Sequence, residues 1–372
     1  MKVSKAVAKM AIPSVISSLV TVVYNMADTF FVGQTGDPLQ VAAVSLTNPI
    51  FILFMAFANM FGMGGSAAAS MALGEKKEKR VKQVSSFITY ASLIVGIVFA
   101  AILLVGMQPV LQLFGADADT YELAKGYTTY ISYGAPFIIW SAAASFVVRA
   151  DGASREAMTG SMIGTVANII LDPIFISGFG MGAAGAAIAT TIGNIMASVY
   201  YLWYFCRKSR NMSMAFRYFK CGDRILSQVC SAGLPTAIFS ALMSISTIIL
   251  NQILVAYGNA PVAAIGIVFK ANMFITFLQM GLANGVQPLL GYSYGAGNRE
   301  RFIAVERYTK KCCLIVGVLA TALFFFFREP IIRLFISDTE VINYGVEMLI
   351  AYMISGPVIG ILFMNMNCMQ ST

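Results

Sequence analysis

Ten stretches of the chain stay apolar for some twenty residues or more, separated by short polar segments. Within a few residues they are 10–32, 41–70, 84–108, 122–148, 156–177, 183–206, 227–257, 261–291, 306–327 and 341–368. About 20 apolar residues, at about 1.5 Å each, span the roughly 30 Å hydrocarbon core of a bilayer, so the pattern predicts ten transmembrane helices. Several runs are longer than that, which implies tilt or overhang into water. They lack the short polar–apolar alternation of a membrane β-barrel. The first run is too long for a cleaved signal peptide and has no clear cleavage motif, so it counts as a span.

Composition strengthens this picture. Of 372 residues, 58% are hydrophobic and 11% charged, against about 25% charged in soluble domains. Too few polar faces remain to cover a soluble helical protein. The net charge of +8 is informative through its placement. Of the 25 basic residues, all but Lys125, Lys270, Arg328 and Arg333 fall at the N-terminus or in alternate loops, around 76–82, 149–155, 207–224 and 299–311. By the positive-inside rule the N-terminus and these loops are cytoplasmic. A nucleic-acid-binding patch would not alternate with the spans, so no nucleic-acid partner is expected. The six cysteines (Cys206, Cys221, Cys230, Cys312, Cys313, Cys368) form no CxxC pattern, and neither a disulfide framework nor a metal site is read from them. The absence of His excludes a His proton relay and a Ser-His-Asp triad.

The chain also repeats itself. Ala11-Ile-Pro13 returns as Gly233-Leu-Pro235, and Val41-Ala-Ala-Val44 as Val262-Ala-Ala-Ile265. Ala72-Leu-Gly74-Glu-Lys76 returns as Gly295-Ala-Gly297-Asn-Arg299, Leu113-Phe114 as Leu334-Phe335, and Gly134-Ala-Pro136 as Ser355-Gly-Pro357. The offset stays between 221 and 223. Six spans separate the two starts, so the repeats are parallel and related by an axis along the membrane normal. The expected organisation is a six-helix bundle over 1–206, a basic cytoplasmic linker over 207–226, and a second bundle over 227–372. At an offset of 221, Asp151 falls on Thr372, so the second copy has four spans and no counterpart of 156–206.

Carboxylates at membrane depth are costly and mark pathways or ion sites. The spans hold two clear ones, Asp28 and Asp172. Counted along the helices, Asp28 lies about 6 Å inside the outer end of its span, Asp172 about 8 Å and Thr190 about 10 Å. Asn168, four residues before Asp172, shares its helix face. Pro173 removes a backbone donor and frees the carbonyl of Ile169 at the same level. Two carboxylates, an amide oxygen and a hydroxyl suit a hard monovalent cation such as Na⁺; they equally suit a proton shared between acids. The competing reading is that the acids only hydrogen-bond helix ends. Lys270 is either a second pathway charge or a snorkelling one. Gln279, Asn284 and Gln287 either line a cavity or make interhelix hydrogen bonds. Clustered small residues (Gly62, Gly64, Gly65, and GMGAAGAAIATTIGN) predict close helix contacts.

Taken together, several segments resemble the multidrug and toxic compound extrusion (MATE) family: AIPSVISSLVTVVYNMADTFFVG, MALGEKKEK, RADGASREAM, NIILDPIFI with GAAGAAIATTIGN, and GVQPLLGYSYGAGNRE. The resemblance covers essentially the whole chain and implies an all-α polytopic fold with two bundles around a central cavity. It implies a monomeric inner (plasma) membrane exporter, not an enzyme, without cofactors, that expels organic cations against inward Na⁺ or H⁺ by alternating access. It also implies a coupling-cation site at Asp28, Asn168, Asp172 and Thr190, and a helix bend at Pro13. The seventh span has no acid after Asp223, so no second site is carried over, and spans eleven and twelve of the family pattern have no counterpart here. The alternatives are a flippase for a lipid-linked precursor, which needs a strongly cationic cavity; a membrane-embedded prenyl transferase, which needs paired Asp-rich motifs for Mg²⁺; and a non-transporting remnant.

Overall fold

The computed structural model describes residues 2–34, 37–220, 222, 224–333, 336 and 338–372. At 29, 33, 38, 237, 241, 244, 248, 251, 255 and 259 only the backbone is described. Cys221, Asp223 and the repeat pair Leu334-Phe335 lie outside the described residues. Of the described residues none is in a strand. Helices α1 (Val3–Gly33), α2 (Pro38–Gly74), α3 (Glu78–Val105), α5 (Tyr121–Ala150), α6 (Ser154–Pro173), α7 (Gly182–Arg207), α8 (Ile225–Val255), α9 (Asn259–Gly295) and α10 (Arg299–Phe326) form nine of the ten spans. Short helices α4 (Met107–Leu113) and α11 (Arg328–Arg333) follow the third span of each half. The chain is a multi-pass membrane protein.

Several helices run past the apolar stretches at their basic ends. The first turns of α3 and α10 are polar and still helical, because straight-chain Lys, Arg and Glu are good helix formers outside the bilayer. The tenth span is broken: α12 (Thr339–Met353) and α13 (Gly356–Gln370) meet at 45°. Pro357 lacks an N–H and so frees the carbonyl of Met353. Thr321 Oγ1 donates to that carbonyl at 3.4 Å, and Gln279 Nε2 donates to the Gly356 carbonyl at 2.6 Å. The break survives at membrane depth because neighbouring side chains satisfy the freed groups. Its counterpart Pro136 sits inside an unbroken α5. Pro13 likewise lies inside a continuous α1, which has no helix break there.

The repeat is visible in the packing. Helices begin at 3, 38, 78 and 107 in one half and at 225, 259, 299 and 328 in the other, an offset of 221 or 222. The principal contacts between the halves are α1 with α9, α2 with α8, and α2 with α9. The first two are the same contact seen from either side of a two-fold axis, and the third lies on that axis. Glycine makes these contacts close. A Cβ on Gly74 would overlap the Tyr292 carbonyl, and one on its counterpart Gly295 would overlap that of Met71. Gly64 abuts Val229 and Gly233, and its counterpart Gly285 abuts Ala11 and Ser14. Without a hydrophobic drive between helices in lipid, such close approach is what holds them.

All these glycines sit toward the basic-loop ends of their helices. The buried apolar clusters that combine both halves lie there too: one joins Val7 and Ala11 to Val286 and Leu290, the other joins Phe61 and Ala68 to Ile225 and Val229. The remaining clusters among the described residues each belong to a single half. The halves are thus sealed at the basic end and separate toward the other.

The segment between α7 and α8 is strapped onto α3. Ser85 Oγ donates to the Ser213 carbonyl at 2.9 Å and accepts from the Ser213 amide at 3.0 Å. Tyr90 donates to the Met214 carbonyl, and Phe219 stacks on Phe87. Asp151 fixes the start of the strap, accepting from Tyr204 at 2.8 Å, Ser209 at 2.7 Å and Asn211 at 2.9 Å.

Two outcomes follow. Gly295→Val wedges the seal, so a cysteine placed at Ser17 in a cysteine-free background becomes several-fold more reactive to an impermeant maleimide from the basic-loop side; an unchanged rate refutes the seal. Asp151→Ala removes charged hydrogen bonds worth about 1.5–3 kcal/mol, and trypsin then cleaves at Arg210 or Arg217 faster than in wild type.

Candidate functional site

Above the seal lies a cavity of about 480 Å³ walled by α1, α2, α5, α6, α7 and α9. Its wall is largely hydroxyls, amides and aromatic rings, among them Ser17, Tyr24, Asn59, Tyr201 and Phe277. Asn168 and Thr190 also line it, whereas Asp28 and Asp172 do not.

The structure brings the four expected residues together behind that wall. Asn168 is 3% exposed, Asp172 0% and Thr190 5%. The Asn168 amide is best satisfied with its nitrogen donating to Asp172 Oδ2 at 3.0 Å and its oxygen accepting from Thr190 Oγ1 at 3.2 Å and the Thr190 amide at 3.0 Å. Tyr24 Oη and Thr190 Oγ1 lie 3.4 Å apart. Asp28 is one helical turn beyond Tyr24 and within electrostatic reach of it and of Asp172. Tyr127 of α5 feels both carboxylates. Local backbone geometry prepares the place: α6 ends at Pro173 and continues as a π-helical turn, Ile174–Gly178, a distortion frequent at functional sites.

Two carboxylate oxygens, Asp28 Oδ1 and Asp172 Oδ1, are buried with no hydrogen-bond partner. Burying an unpaired carboxylate costs several kcal/mol or more, which is relieved by a proton or a cation. The donor set is two acids, a hydroxyl and an amide, all hard oxygen ligands, and it fits a monovalent cation as cargo.

The other expected residues divide. Asn284 lines the cavity and accepts from Asn367 at 3.1 Å. Gln279, Gln287 and Lys270 do not line this cavity, and the two glutamines take the interhelix alternative. Gln279 is fully buried and fills the space left by Gly317 and Gly360. Gln287 is fully buried and donates to Gln370 at 3.2 Å. Both are interhelix ties. Lys270 is exposed on the surface of α9. Tyr24 and Arg149 line the cavity and Tyr127 stands near the acids; the sequence gives none of the three a place there. Tyr24 precedes Asp28 by four residues, a spacing that places both on one face. Tyr127 carries no local signal, and Arg149 is indistinguishable in sequence from the other basic loop residues.

Comparison with known proteins agrees with this architecture. The MatE family model matches residues 13–174 and 235–372. The multidrug export protein MepA of Staphylococcus saprophyticus is 32% identical over 370 residues, 100% of this chain and 82% of the relative. A multidrug resistance MATE family transporter of the MOP superfamily, solved in an outward-facing conformation, superposes with a TM-score of 0.93 at 25% identity, covering 100% of this chain and 83% of that one. A MOP superfamily transporter of Pyrococcus furiosus, described as having a binding pocket of reverse polarity, superposes at 0.87 with 26% identity, covering 100% and 86%.

If the unpartnered carboxylates take up a cation, ligand linkage raises stability, by about 2.7 kcal/mol at 100 times the Kd. Thermal unfolding in NaCl against choline chloride, at several pH values, is expected to show a rise in Tm with Na⁺ or with protons. Asp28→Asn and Asp172→Asn should each abolish the response. A Tm response that persists in both variants rules the cluster out.

Proposed function

This chain belongs to the MatE family of membrane transporters, and from that premise we propose that it is a secondary exporter of organic cations driven by inward movement of Na⁺ or H⁺. The basic loops and the N-terminus face the cytoplasm in this reading, and the membrane is the plasma membrane. The observation that carries it is the pair of unpartnered carboxylate oxygens behind a wall shared with the cavity. Asn168 and Thr190 belong to both places. A cation reaching Asp28 and Asp172 from outside pulls on the same side chains that face the substrate.

Exchange requires ion and substrate to bind the two conformations differently. Sealed at the cytoplasmic end, the cavity releases substrate outward. Cation uptake neutralises the carboxylates, weakens their attraction for a positively charged substrate and reshapes the wall through Asn168. Parting of the glycine seam then exposes the cavity to the cytoplasm, where the ion leaves and the next substrate binds. The flippase alternative is disfavoured, because the lining carries one cationic side chain, Arg149, where a lipid diphosphate calls for several.

Efflux of a fluorescent cationic dye from energised cells, with Na⁺ and pH gradients imposed separately, tests this. Gradient-driven efflux that Asp28→Asn abolishes, at unchanged membrane level, is the expected result. Unchanged export by Asp28→Asn sinks the assignment of the coupling site.

A further inference from the structure

Arg149 is the one charged side chain among the residues that line the cavity. It sits at the basic end of α5, one residue before the helix ends at Ala150, and so at the floor just above the seal. Its own helix holds it in place. Nε donates to the Ser145 carbonyl at 3.3 Å, Nη2 donates to Ser145 Oγ at 3.2 Å, and the guanidinium lies 4.6 Å from the centre of the Phe146 ring. Ser145 and Phe146 line the cavity as well.

No carboxylate pairs with it among the described residues, and none of its partners carries a negative charge. Among the described residues Nη1 donates to no protein group. An arginine inside a protein is normally paired, because its charge is costly to strip of water. A planar guanidinium with free donors is also the side chain best matched to a carboxylate, which it takes in a bidentate fork. The acids of the site stand far from it. Tyr201, within electrostatic reach of Arg149, is eleven residues along α7 from Thr190, about 16 Å at 1.5 Å per residue. The cavity therefore has a positive floor and, behind its wall at the other end, a negative pair.

We propose that Arg149 is the residue by which this transporter selects substrates carrying a carboxylate, seating a zwitterion with its anionic group on the floor and its cationic group toward Asp28 and Asp172. The proposal rests on the exporter reading and adds to it a substrate class and an orientation. A purely cationic molecule meets repulsion at the floor, and the free carboxylate of a zwitterion removes it.

The test uses a matched pair of dyes. Rhodamine 110 carries a free carboxylate, and rhodamine 123 is its methyl ester. Equilibrium binding to the purified full chain is followed by fluorescence polarisation, for wild type, Arg149→Gln and Arg149→Lys, with Tm as the check on folding. Wild type is expected to prefer the free acid. Arg149→Gln should lose about tenfold or more in affinity for rhodamine 110, as for a lost charge-assisted pair, with rhodamine 123 unchanged or tighter. Arg149→Lys should keep part of the preference. Equal loss for both dyes, no loss for either, or failure of wild type to bind rhodamine 110 overturns the proposal. Binding is read without any gradient. Wild type that binds both dyes with the predicted Arg149 dependence yet moves neither down a Na⁺ or pH gradient would instead overturn the exporter reading.

Discussion

Backbone-to-backbone contact at a single end of the two halves governs the rest of the structure. Gly64 and Gly74 in one half, and Gly285 and Gly295 in the other, let the helices approach closer than any side chain allows. Because the partners are repeats, each close contact occurs twice about the axis. The seal therefore combines backbone contact with two apolar clusters that join the halves, and it is confined to one end. The cavity exists because the halves meet only there. In lipid this seam has no solvent-driven force behind it, so its strength lies in van der Waals contact that a small rotation breaks all at once. A contact of that kind is bistable, as an alternating gate requires.

Against this frame the polar groups fall into two kinds. Most serve structure: the amide nitrogens of Gln279 and Gln287 tie α9 to α13, Thr321 closes the break before Pro357, and Asp151 fastens the strap onto α3. A few do not. Asp28 Oδ1, Asp172 Oδ1 and the free face of Arg149 have no partner from the protein among the described residues. Buried charge without a partner is destabilising, and it persists where a transient ligand supplies the partner. Arg149 lines the floor of the cavity and the acid pair lies behind its wall at the other end, which is the arrangement the proposed zwitterion orientation uses. Asn168 bonds to Asp172, Thr190 bonds to Asn168, and both line the cavity, so in the proposed exchange they are the route by which ion and substrate sense one another.

The two halves also show how one sequence motif yields two local structures. Gly134-Ala-Pro136 stays within a helix, whereas Ser355-Gly-Pro357 breaks one. The difference lies in the neighbours. At the second site Gln279 fits against Gly317 and Gly360 and accommodates a freed carbonyl. At the first, the counterpart of Gln279 is Ala58, whose methyl group offers a freed carbonyl no donor.

The sequence by itself determined the number of spans, the alternation of basic loops, the repeat and its offset, and the proximity of Asn168, Asp172, Asp28 and Thr190. Each of these follows from quantities that run along the chain: run length against bilayer thickness, residue rise, and the four-residue spacing of a helix face. What faces what was decided only in three dimensions. In lipid a helix is apolar all round, so its sequence carries little amphipathic signal to fix its rotation about its own axis. That is why the sequence leaves Gln279 and Gln287 open between cavity lining and interhelix ties, leaves Lys270 open between a pathway and snorkelling, and carries no signal for Tyr127. Arg149 makes the point most sharply. In the sequence its charge is one more basic loop residue, and only the packing of α5 against α6 and α7 turns that charge inward.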